Sequence, residues 1–281
     1  MKANTELVKI GNHCVHVEIY QQPQNTESII MVNGALATTA SFTNCVKYLS
    51  DGLNVILFDL PFAGQSKPHN PVGGIITKED EVNILLALIE RYQPTSFLSV
   101  SWGGYAAMMA LAQSPTSIKR AVLASFSTQL NDGMLRYING ARHYIQIGDV
   151  KTAANLLNEE VGKYLPRLLK HINYRHLSRL DDQELQQVCF HIEQILSMND
   201  TDYEQLLGNI EIPTLFVNGK LDEYTTPEDI LIADDYMPKC EFEVVPNAGH
   251  FLDLEHADAR QRMEKILRSF LIPNEQERQV A

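Results

Sequence analysis

The sequence predicts an α/β fold built on a doubly wound, mostly parallel β-sheet. Short apolar runs of the kind typical of buried strands recur along the chain, and several end in Gly, Pro or Asp. Amphipathic helical patterns lie between them, and strands that alternate with helices form parallel sheets with helices on both faces. The runs cover residues 28–34, 54–61, 96–104, 119–126, 214–219 and 241–247.

Composition restricts the possible classes of function. The 281 residues have a formal net charge of -12 and are 44% hydrophobic, which fits one globular domain and argues against general binding to nucleic acid or anionic lipid. No apolar run approaches the roughly 18 residues that span a bilayer, and the N-terminal stretch has no signal-peptide pattern. We therefore expect a cytoplasmic protein with no membrane span and no nucleic-acid partner.

No metal ion or other cofactor is predicted. The four cysteines lie far apart without a CxxC pair, which argues against a zinc site or a disulfide framework. His13 and His16 form a His-x-x-His pair, but no third ligand accompanies them. The chain also lacks the G-x-x-x-x-G-K pattern of phosphate-binding loops, so nucleotide binding is not supported.

A helical insertion interrupts the alternation of strands and helices. Residues 78–92 begin with acidic side chains followed by an apolar stripe, and 103–114 form a second helical pattern. The segment 127–208 contains continuous amphipathic patterns and little that is typical of strands. We therefore predict a core of residues 1–126 and 209–281, with an α-helical cap inserted before the strand that precedes Asp222. The cap is expected over the carboxyl ends of the strands, where open α/β sheets bind ligands.

Ser101 is a candidate nucleophile. It lies in the stretch SVSWGG, between a predicted strand and a predicted helix. Small residues at Ser99 and Gly103 permit the sharp strand-to-helix turn that lifts a nucleophilic hydroxyl clear of the sheet. The stretch is equally compatible with a serine that only ends the strand and caps the helix, so Ser101 needs a base and an orienting acid from elsewhere in the chain.

Asp222 and His250 are the candidate partners of Ser101. Asp222 follows the strand at 214–219 and His250 follows the last predicted strand, so both lie at the sheet edge where Ser101 also lies. Ser, Asp, His is one of the orders in which catalytic triads occur along a chain. Glu223 remains an alternative to Asp222 as the acid, and Asp222 could instead only begin a turn.

Two backbone amides are candidates for stabilising an oxyanion. One is the N–H of Trp102, which follows the candidate nucleophile, and the other belongs to the loop after an early strand, where Gly34 lets the chain turn and Ala35 or Leu36 could present an N–H. An ordinary strand-to-helix turn explains the same loop without any catalytic role.

These motifs together resemble the α/β-hydrolase superfamily over nearly the whole chain. The stretches NGALATTASF, DLPFAGQS and DEYTT resemble, more narrowly, the branch of 3-(3-hydroxyalkanoyloxy)alkanoate synthases of rhamnolipid biosynthesis and 3-hydroxyacyl-carrier-protein:CoA transacylases. The resemblance implies Ser101, Asp222 and His250 as a catalytic triad, with the amides of Trp102 and Ala35 as the oxyanion hole. It also implies an α/β-hydrolase fold with a helical cap.

The resemblance implies an acyltransferase, and the synthase is the leading expectation. Ser101 would attack the thioester of a 3-hydroxyacyl chain carried by acyl carrier protein or CoA, and the 3-hydroxyl of a second chain would attack the acyl-serine to form an ester. The alternative within enzymes is a 3-hydroxyacyl-ACP:CoA transacylase or a thioesterase that uses the same triad. The alternative of another class is a catalytically inactive binding protein with this fold.

A surplus of basic residues in the predicted cap suggests a docking face. Between positions 136 and 180 there are eight Lys and Arg but three Asp and Glu in an otherwise acidic chain. We expect Lys163, Arg167 and Lys170 to receive an acidic carrier protein or the phosphates of CoA. A solvated helix face that is basic by chance explains the pattern equally well.

His176 and Asp181 match an H-x-x-x-x-D spacing known from other acyltransferases. Because a separation of five residues does not place two side chains on one helix face, we interpret the match as accidental and locate it on a cap helix. Neither residue is predicted as a site residue.

Overall fold

The computed structural model describes residues 2–198 and 200–272, and for residues 200 and 201 only the backbone. The predicted core segment 209–281 therefore ends in nine residues, 273–281, that lie outside the described residues. Position 1 of the first core segment and position 199 of the predicted cap also lie outside them.

Eight strands form one sheet. They are β1 (Asn4–Ile10), β2 (His13–Tyr20), β3 (Ser28–Val32), β4 (Asn54–Asp59), β5 (Ser96–Val100), β6 (Arg120–Ala124), β7 (Thr214–Gly219) and β8 (Cys240–Val245). The order across the sheet is β1-β2-β4-β3-β5-β6-β7-β8. The pairs β1–β2 and β2–β4 are antiparallel, and the others are parallel. The predicted mostly parallel sheet is confirmed, with an antiparallel hairpin at one edge.

Helices cover both faces of the sheet, which confirms the doubly wound α/β architecture. They are α1 (Thr43–Leu49), α2 (Lys78–Tyr92), α3 (Gly103–Leu111), α4 (Asp132–Gln146), α5 (Val150–Glu159), α6 (Arg167–Leu177), α7 (Asp182–Ser197), α8 (Asp200–Gly208) and α9 (Ala257–Leu271). Buried side chains of α2, α3 and α8 share one apolar core, and those of α1 and α9 share a second. Among the described residues, no helix has both the length and the apolar character needed to cross a bilayer.

Helix α2 begins at Lys78, where the acidic start of the pattern predicts it. Thr77 accepts a hydrogen bond from the Asp80 amide, and the Asp80 side chain accepts one from the Thr77 amide, so the two residues form a reciprocal capping box. This arrangement satisfies donors that every helix N-terminus leaves free.

Helices α4 to α7 follow β6 and pack on one another over the sheet. Met134 and Ile138 of α4 and Val188 and Ile192 of α7 belong to a third apolar cluster. The Gln187 side chain on α7 accepts from the backbone N–H of Ile76 (2.9 Å) and donates to its carbonyl (2.7 Å), which ties α7 to the segment before α2.

Helix α8 differs from the four helices before it, because Tyr203 and Leu207 are buried in the core that α2 and α3 share. The division of the chain into a core and a cap of 127–208 stays a prediction.

Candidate active site

Ser101 lies in the turn between β5 and α3 with a left-handed backbone. Its φ is +53°, a conformation that is strained for a residue other than glycine and is found at functional turns. The Ser101 amide donates to the carbonyl of Ala124 (2.9 Å), and the Gly104 amide donates to the carbonyl of Ser101 (2.8 Å). The turn has the strand, sharp bend and helix that a nucleophile elbow requires.

Two glycines let neighbouring chain segments approach this turn. A Cβ on Gly103 would collide with the carbonyl oxygen of Asn33, and a Cβ on Gly34 would lie 3.2 Å from Cβ of Ser101. The elbow and the loop after β3 therefore meet so closely that only the absence of a side chain permits the contact.

The structure brings Ser101, His250 and Asp222 into one hydrogen-bonded chain. Nε2 of His250 lies 2.8 Å from Oγ of Ser101, and Nδ1 of His250 lies 2.8 Å from Oδ2 of Asp222. Because the carboxylate is an acceptor, Nδ1 carries the proton, which leaves Nε2 free to take the proton of the serine hydroxyl. These are the three residues that the sequence predicts.

Asp222 is held as an ionised group. Burial alone would raise its pKa, but His250, the Thr225 hydroxyl and the Tyr224 amide outweigh burial and hold the pKa below its usual range. Oδ2 accepts from the Thr225 hydroxyl (2.6 Å), and Oδ1 accepts from the amides of Tyr224 (2.9 Å) and Thr225 (3.2 Å). Glu223, the alternative acid, instead forms an ion pair with Lys163 (2.6 Å).

Ser125 and Glu255, which the sequence reasoning missed, fix the loop that carries His250. Oγ of Ser125 donates to the carbonyl of His250 (2.6 Å). The two carboxylate oxygens of Glu255 accept from the amides of Gly249 (2.7 Å) and Phe251 (3.0 Å), on either side of His250. Glu255 is 3% exposed, and an acidic residue five positions after a candidate catalytic histidine is the sequence signal that could have marked it.

The candidate oxyanion donors lie on two segments beside Ser101. Trp102 directly precedes α3, where the first backbone N–H groups have no partner within the helix. Leu36 has a φ of +60°, and Gly34, Ala35, Leu36 and Trp102 line the same cavity as Ser101. The choice between the amides of Ala35 and Leu36 stays open.

His176 contacts the loop after β3, since its Nε2 lies 3.0 Å from the carbonyl oxygen of Leu36. His176 lies in the last turn of α6, whereas Asp181 is the N-cap of α7 and forms an ion pair with Lys67 (2.8 Å). The interpretation that places both residues on one cap helix is therefore wrong, because the chain turns between them.

An apolar cavity of about 190 Å³ opens beside Ser101 and His250. Helices α4, α5 and α7 line one side of it with Ile138, Ala154 and Val188, among others. The sheet ends, α1 and the segment after His250 line the other side. The cavity can therefore hold an aliphatic chain next to the serine hydroxyl. Among the described residues, no group of three or more His, Cys, Asp or Glu side chains is arranged to hold a metal ion.

The three residues of the predicted docking face lie near one another in the chain but differ in environment. Lys163 is paired with Glu223 and lies over the ring of Tyr164, 5.0 Å from its centroid. Arg167, the first residue of α6, is exposed, and Lys170 is half-buried. Their role in binding a carrier protein stays a prediction.

The chain matches one protein family and is similar to proteins of known name. The family model described as "alpha/beta hydrolase fold" matches residues 27–257. The (R)-3-hydroxydecanoyl-ACP:CoA transacylase of Pseudomonas aeruginosa is 46% identical over 274 residues, which cover 97% of this chain and 91% of the relative. The protein of the same name from Pseudomonas putida is 42% identical over 267 residues, covering 95% of this chain and 90% of the relative.

Solved structures agree on the fold. MGS-M2, an α/β hydrolase enzyme from a deep-sea metagenome library, superposes with a TM-score of 0.79 at 18% identity and covers 96% of this chain and 98% of its own. The enol-lactonase from Burkholderia xenovorans has a TM-score of 0.78 at 16% identity, with 95% and 100% of the two chains covered. At these identities the likeness concerns the fold alone.

The named relatives bear on the expected function. Both are transacylases, the alternative expected from the sequence, so the comparisons favour the transacylase over the 3-(3-hydroxyalkanoyloxy)alkanoate synthase.

Proposed function

Because the chain belongs to the α/β-hydrolase fold family, we propose that it is an acyltransferase that moves 3-hydroxyacyl groups from acyl carrier protein to the thiol of CoA. The observation that carries the reaction type is the hydrogen-bonded chain of Ser101, His250 and Asp222 beside an apolar cavity. The donor and acceptor are inferred from the transacylases that this chain resembles.

The first half of the reaction forms an acyl-enzyme. Nε2 of His250 takes the proton from Ser101 as Oγ attacks the thioester carbonyl carbon, and Asp222 stabilises the resulting imidazolium. The tetrahedral intermediate collapses, the carbon–sulfur bond breaks, and His250 returns the proton to the departing carrier thiolate. The acyl group then remains on Oγ of Ser101 as an ester.

The second half transfers the acyl group to CoA. His250 takes the proton of the CoA thiol, and the thiolate sulfur attacks the ester carbonyl carbon. When the carbon–oxygen bond breaks, the proton on His250 passes to Oγ of Ser101, so the enzyme returns to its starting state. One thioester is consumed and one is formed, and no other reactant is needed.

Backbone donors stabilise the negative charge that develops in both halves. We assign one donor to the Trp102 amide and the other to Ala35 or Leu36, because these residues line the cavity at Ser101. The strained turn at Ser101 and the close approach of Gly34 hold the two segments in place before the substrate arrives.

Exclusion of water decides whether the enzyme is a transferase or a thioesterase. Apart from Tyr137, the side chains of α4, α5 and α7 that line the cavity are apolar, so a bound acyl chain would displace water from the space beside the acyl-serine. The thiol of CoA, which reaches the acyl-serine through the binding energy of CoA itself, then has little water to compete with for the acyl group.

Product analysis tests the proposal. The protein is incubated with 3-hydroxydecanoyl-ACP and CoA, and the products are identified by mass spectrometry, with Ser101→Ala as the matched control. We expect 3-hydroxydecanoyl-CoA from the wild-type protein and none from the variant. A dimeric ester as the main product would instead support the synthase, free 3-hydroxydecanoic acid would support a thioesterase, and no turnover would support a binding protein. Each of these three results would overturn the proposal.

A further inference from the structure

A half-buried acidic group that the proposed mechanism does not use lies in the cavity of the candidate active site. Asp253 comes three residues after His250, in the short 3-10 turn Leu252–Leu254. It lines the same cavity as Ser101, and the lining also includes the apolar side chains of Leu98 and Met263.

We propose that Asp253 is a specificity-determining residue whose carboxylate accepts a hydrogen bond from the 3-hydroxyl group of the acyl chain. The inference deepens the proposed function and rests on it, since it concerns the substrate of the same site. It distinguishes 3-hydroxyacyl chains from plain acyl chains of equal length.

The surroundings of Asp253 orient its carboxylate. Oδ2 accepts from the hydroxyl of Tyr48 (3.2 Å) and lies 4.0 Å from Sγ of Cys45, and both partners lie on α1. Arg260 donates to the backbone carbonyl of Asp253 (3.3 Å), and so does the side chain of Asn44 (3.2 Å). The carboxylate thus accepts from the neutral hydroxyl of Tyr48, and the nearby Arg260 cation favours its charged form.

A carboxyl group in this position has an energetic cost. Burial raises the pKa of Asp253 to about 6, although Tyr48, Arg260 and Asn44 act in the opposite direction. A carboxylate that is partly withdrawn from water is costly when it lacks a full set of hydrogen bonds. A hydroxyl on the bound chain would supply a donor to this carboxylate.

The position also suits the substrate. In a 3-hydroxyacyl-serine the hydroxyl-bearing carbon is two bonds from the carbonyl carbon, so the hydroxyl must lie in the part of the cavity next to Ser101 and His250. Asp253 lines this cavity and follows His250 by only three residues. A plain acyl chain bound there would leave the carboxylate without that hydrogen bond.

A purely structural role is the alternative. The hydrogen bond between Tyr48 and Asp253 joins α1 to the turn after His250. In a purely structural role, the Asp253 carboxylate would serve only to form this joint. The two roles differ in which substitutions matter: recognition requires the carboxylate, whereas the joint requires the carboxylate and the Tyr48 hydroxyl equally.

The test compares two thioesters that differ by one hydroxyl group. Values of kcat/KM for 3-hydroxydecanoyl-ACP and decanoyl-ACP, with CoA as acceptor, are measured for the wild-type protein, Asp253→Asn, Asp253→Leu and Tyr48→Phe. We expect the wild-type protein to prefer the hydroxylated chain. Asp253→Leu should lower kcat/KM for that chain roughly 10- to 100-fold, the range of a hydrogen bond to a charged group, and change the value for decanoyl-ACP less than about 3-fold. Asp253→Asn, which keeps the shape and the fold, should lower the preference in the same direction by a smaller factor.

One comparison makes the result decisive. Tyr48→Phe removes a donor to the carboxylate but keeps the carboxylate itself, so it should lower the preference less than Asp253→Leu does. The inference is overturned if the wild-type protein does not distinguish the two thioesters. It is also overturned if Tyr48→Phe loses the preference as Asp253→Leu does, or if the Asp253 variants slow both substrates equally. Release of the carrier thiol reports acylation of Ser101 whatever the acceptor is, so a failure of transfer to CoA would count against the proposed function alone.

Discussion

At the scale of single residues, the site depends on which acid meets His250. The loop DEYTT offers Asp222 and Glu223 side by side, and sequence alone does not separate them. In the structure Asp222 bonds to Nδ1 of His250, and Glu223 pairs with Lys163 at the surface. The hydroxyl of Thr225, three residues later, completes the binding of Asp222.

This difference predicts a large effect for one of two neighbouring substitutions and almost none for the other. Asp222→Asn should lower kcat about 10⁴-fold, because an amide neither stabilises the imidazolium nor holds its Nδ1 proton. Glu223→Gln breaks only a partly exposed ion pair and should change kcat less than about 2-fold. Steady-state kinetics on both variants checks this, and a loss at Glu223→Gln as large as that at Asp222→Asn would contradict the assignment.

The raised pKa of Asp253 predicts a pH-dependent effect on stability. A free aspartate has a pKa of roughly 3.9, whereas burial raises that of Asp253 to about 6. Between these values the folded state binds more protons than the unfolded chain, so the free energy of unfolding decreases as pH rises, and the full cost of ionisation is present above pH 6.

Asp253→Asn removes this cost, since an amide does not ionise. The variant should exceed the wild-type protein in free energy of unfolding by about 1–3 kcal/mol at pH 8, and the difference should disappear near pH 4. Denaturant unfolding at the two pH values measures it. A variant that is less stable than the wild-type protein at pH 8 would show that Asp253 stabilises the fold.

At the scale of elements, the site is built where a strand, a tight turn and a helix meet. The sequence could predict the turn at Ser101, because apolar strands and amphipathic helices are local patterns. It could not predict the supports of His250, since Ser125 and Glu255 reach the loop only through the packing of β6 and the turn before α9. The H-x-x-x-x-D match was misplaced for a related reason: His176 belongs to α6, whereas Asp181 caps the next helix, α7.

The elbow predicts a strong effect of adding one methyl group. Gly103→Ala would push a Cβ into the carbonyl oxygen of Asn33, so the turn and the loop after β3 must separate. We expect a loss in stability of about 2 kcal/mol or more and a fall in kcat of at least about 100-fold. Gly208→Ala, at the end of α8 with no atom within 4 Å of the added Cβ, is the matched control and should leave both quantities nearly unchanged. Thermal unfolding measures the stability and steady-state kinetics measure kcat. If Gly103→Ala and Gly208→Ala have equal stability and equal kcat, the expected clash at Gly103 is refuted.

At the scale of the whole molecule, the net charge of -12 contrasts with the basic stretch between positions 136 and 180. Because Glu223 neutralises Lys163, Arg167 and Lys170 are the freer members of the predicted docking face. A basic face on an acidic protein would attract an acidic carrier protein and would be screened by salt.

Charge reversal tests this face. Replacing Lys163, Arg167 and Lys170 together by Glu should raise KM for 3-hydroxydecanoyl-ACP roughly 10-fold at low salt without changing the preference for acyl chain length. Reversal of Lys2, Lys9 and Lys119 is the control for net charge. An unchanged KM in the first variant, or an equal rise in the control, would exclude this docking face.

The acceptor of the acyl group could not be predicted from the sequence. The strand ends and the order Ser101, Asp222, His250 indicate acyl transfer, but they are the same for a synthase, a transacylase and a thioesterase. In the proposed function the acceptor depends on the cavity, whose lining comes from helices α4, α5 and α7, from α1 and from the turn after His250. Such a surface assembled from distant segments is not visible as a local pattern, which is why the synthase was expected where the relatives favour the transacylase.

A chase of the isolated acyl-enzyme tests directly whether the acyl group passes from Ser101 to CoA. The protein is acylated with 3-hydroxydecanoyl-ACP, separated from the carrier, and then mixed with CoA while the masses of protein and products are followed. We expect one 3-hydroxydecanoyl group on Ser101 of the wild-type protein and none on the Ser101→Ala variant. When CoA is added, the group should leave as 3-hydroxydecanoyl-CoA. An acyl group that stays on the protein, or leaves only as the free acid in the presence of CoA, would contradict it.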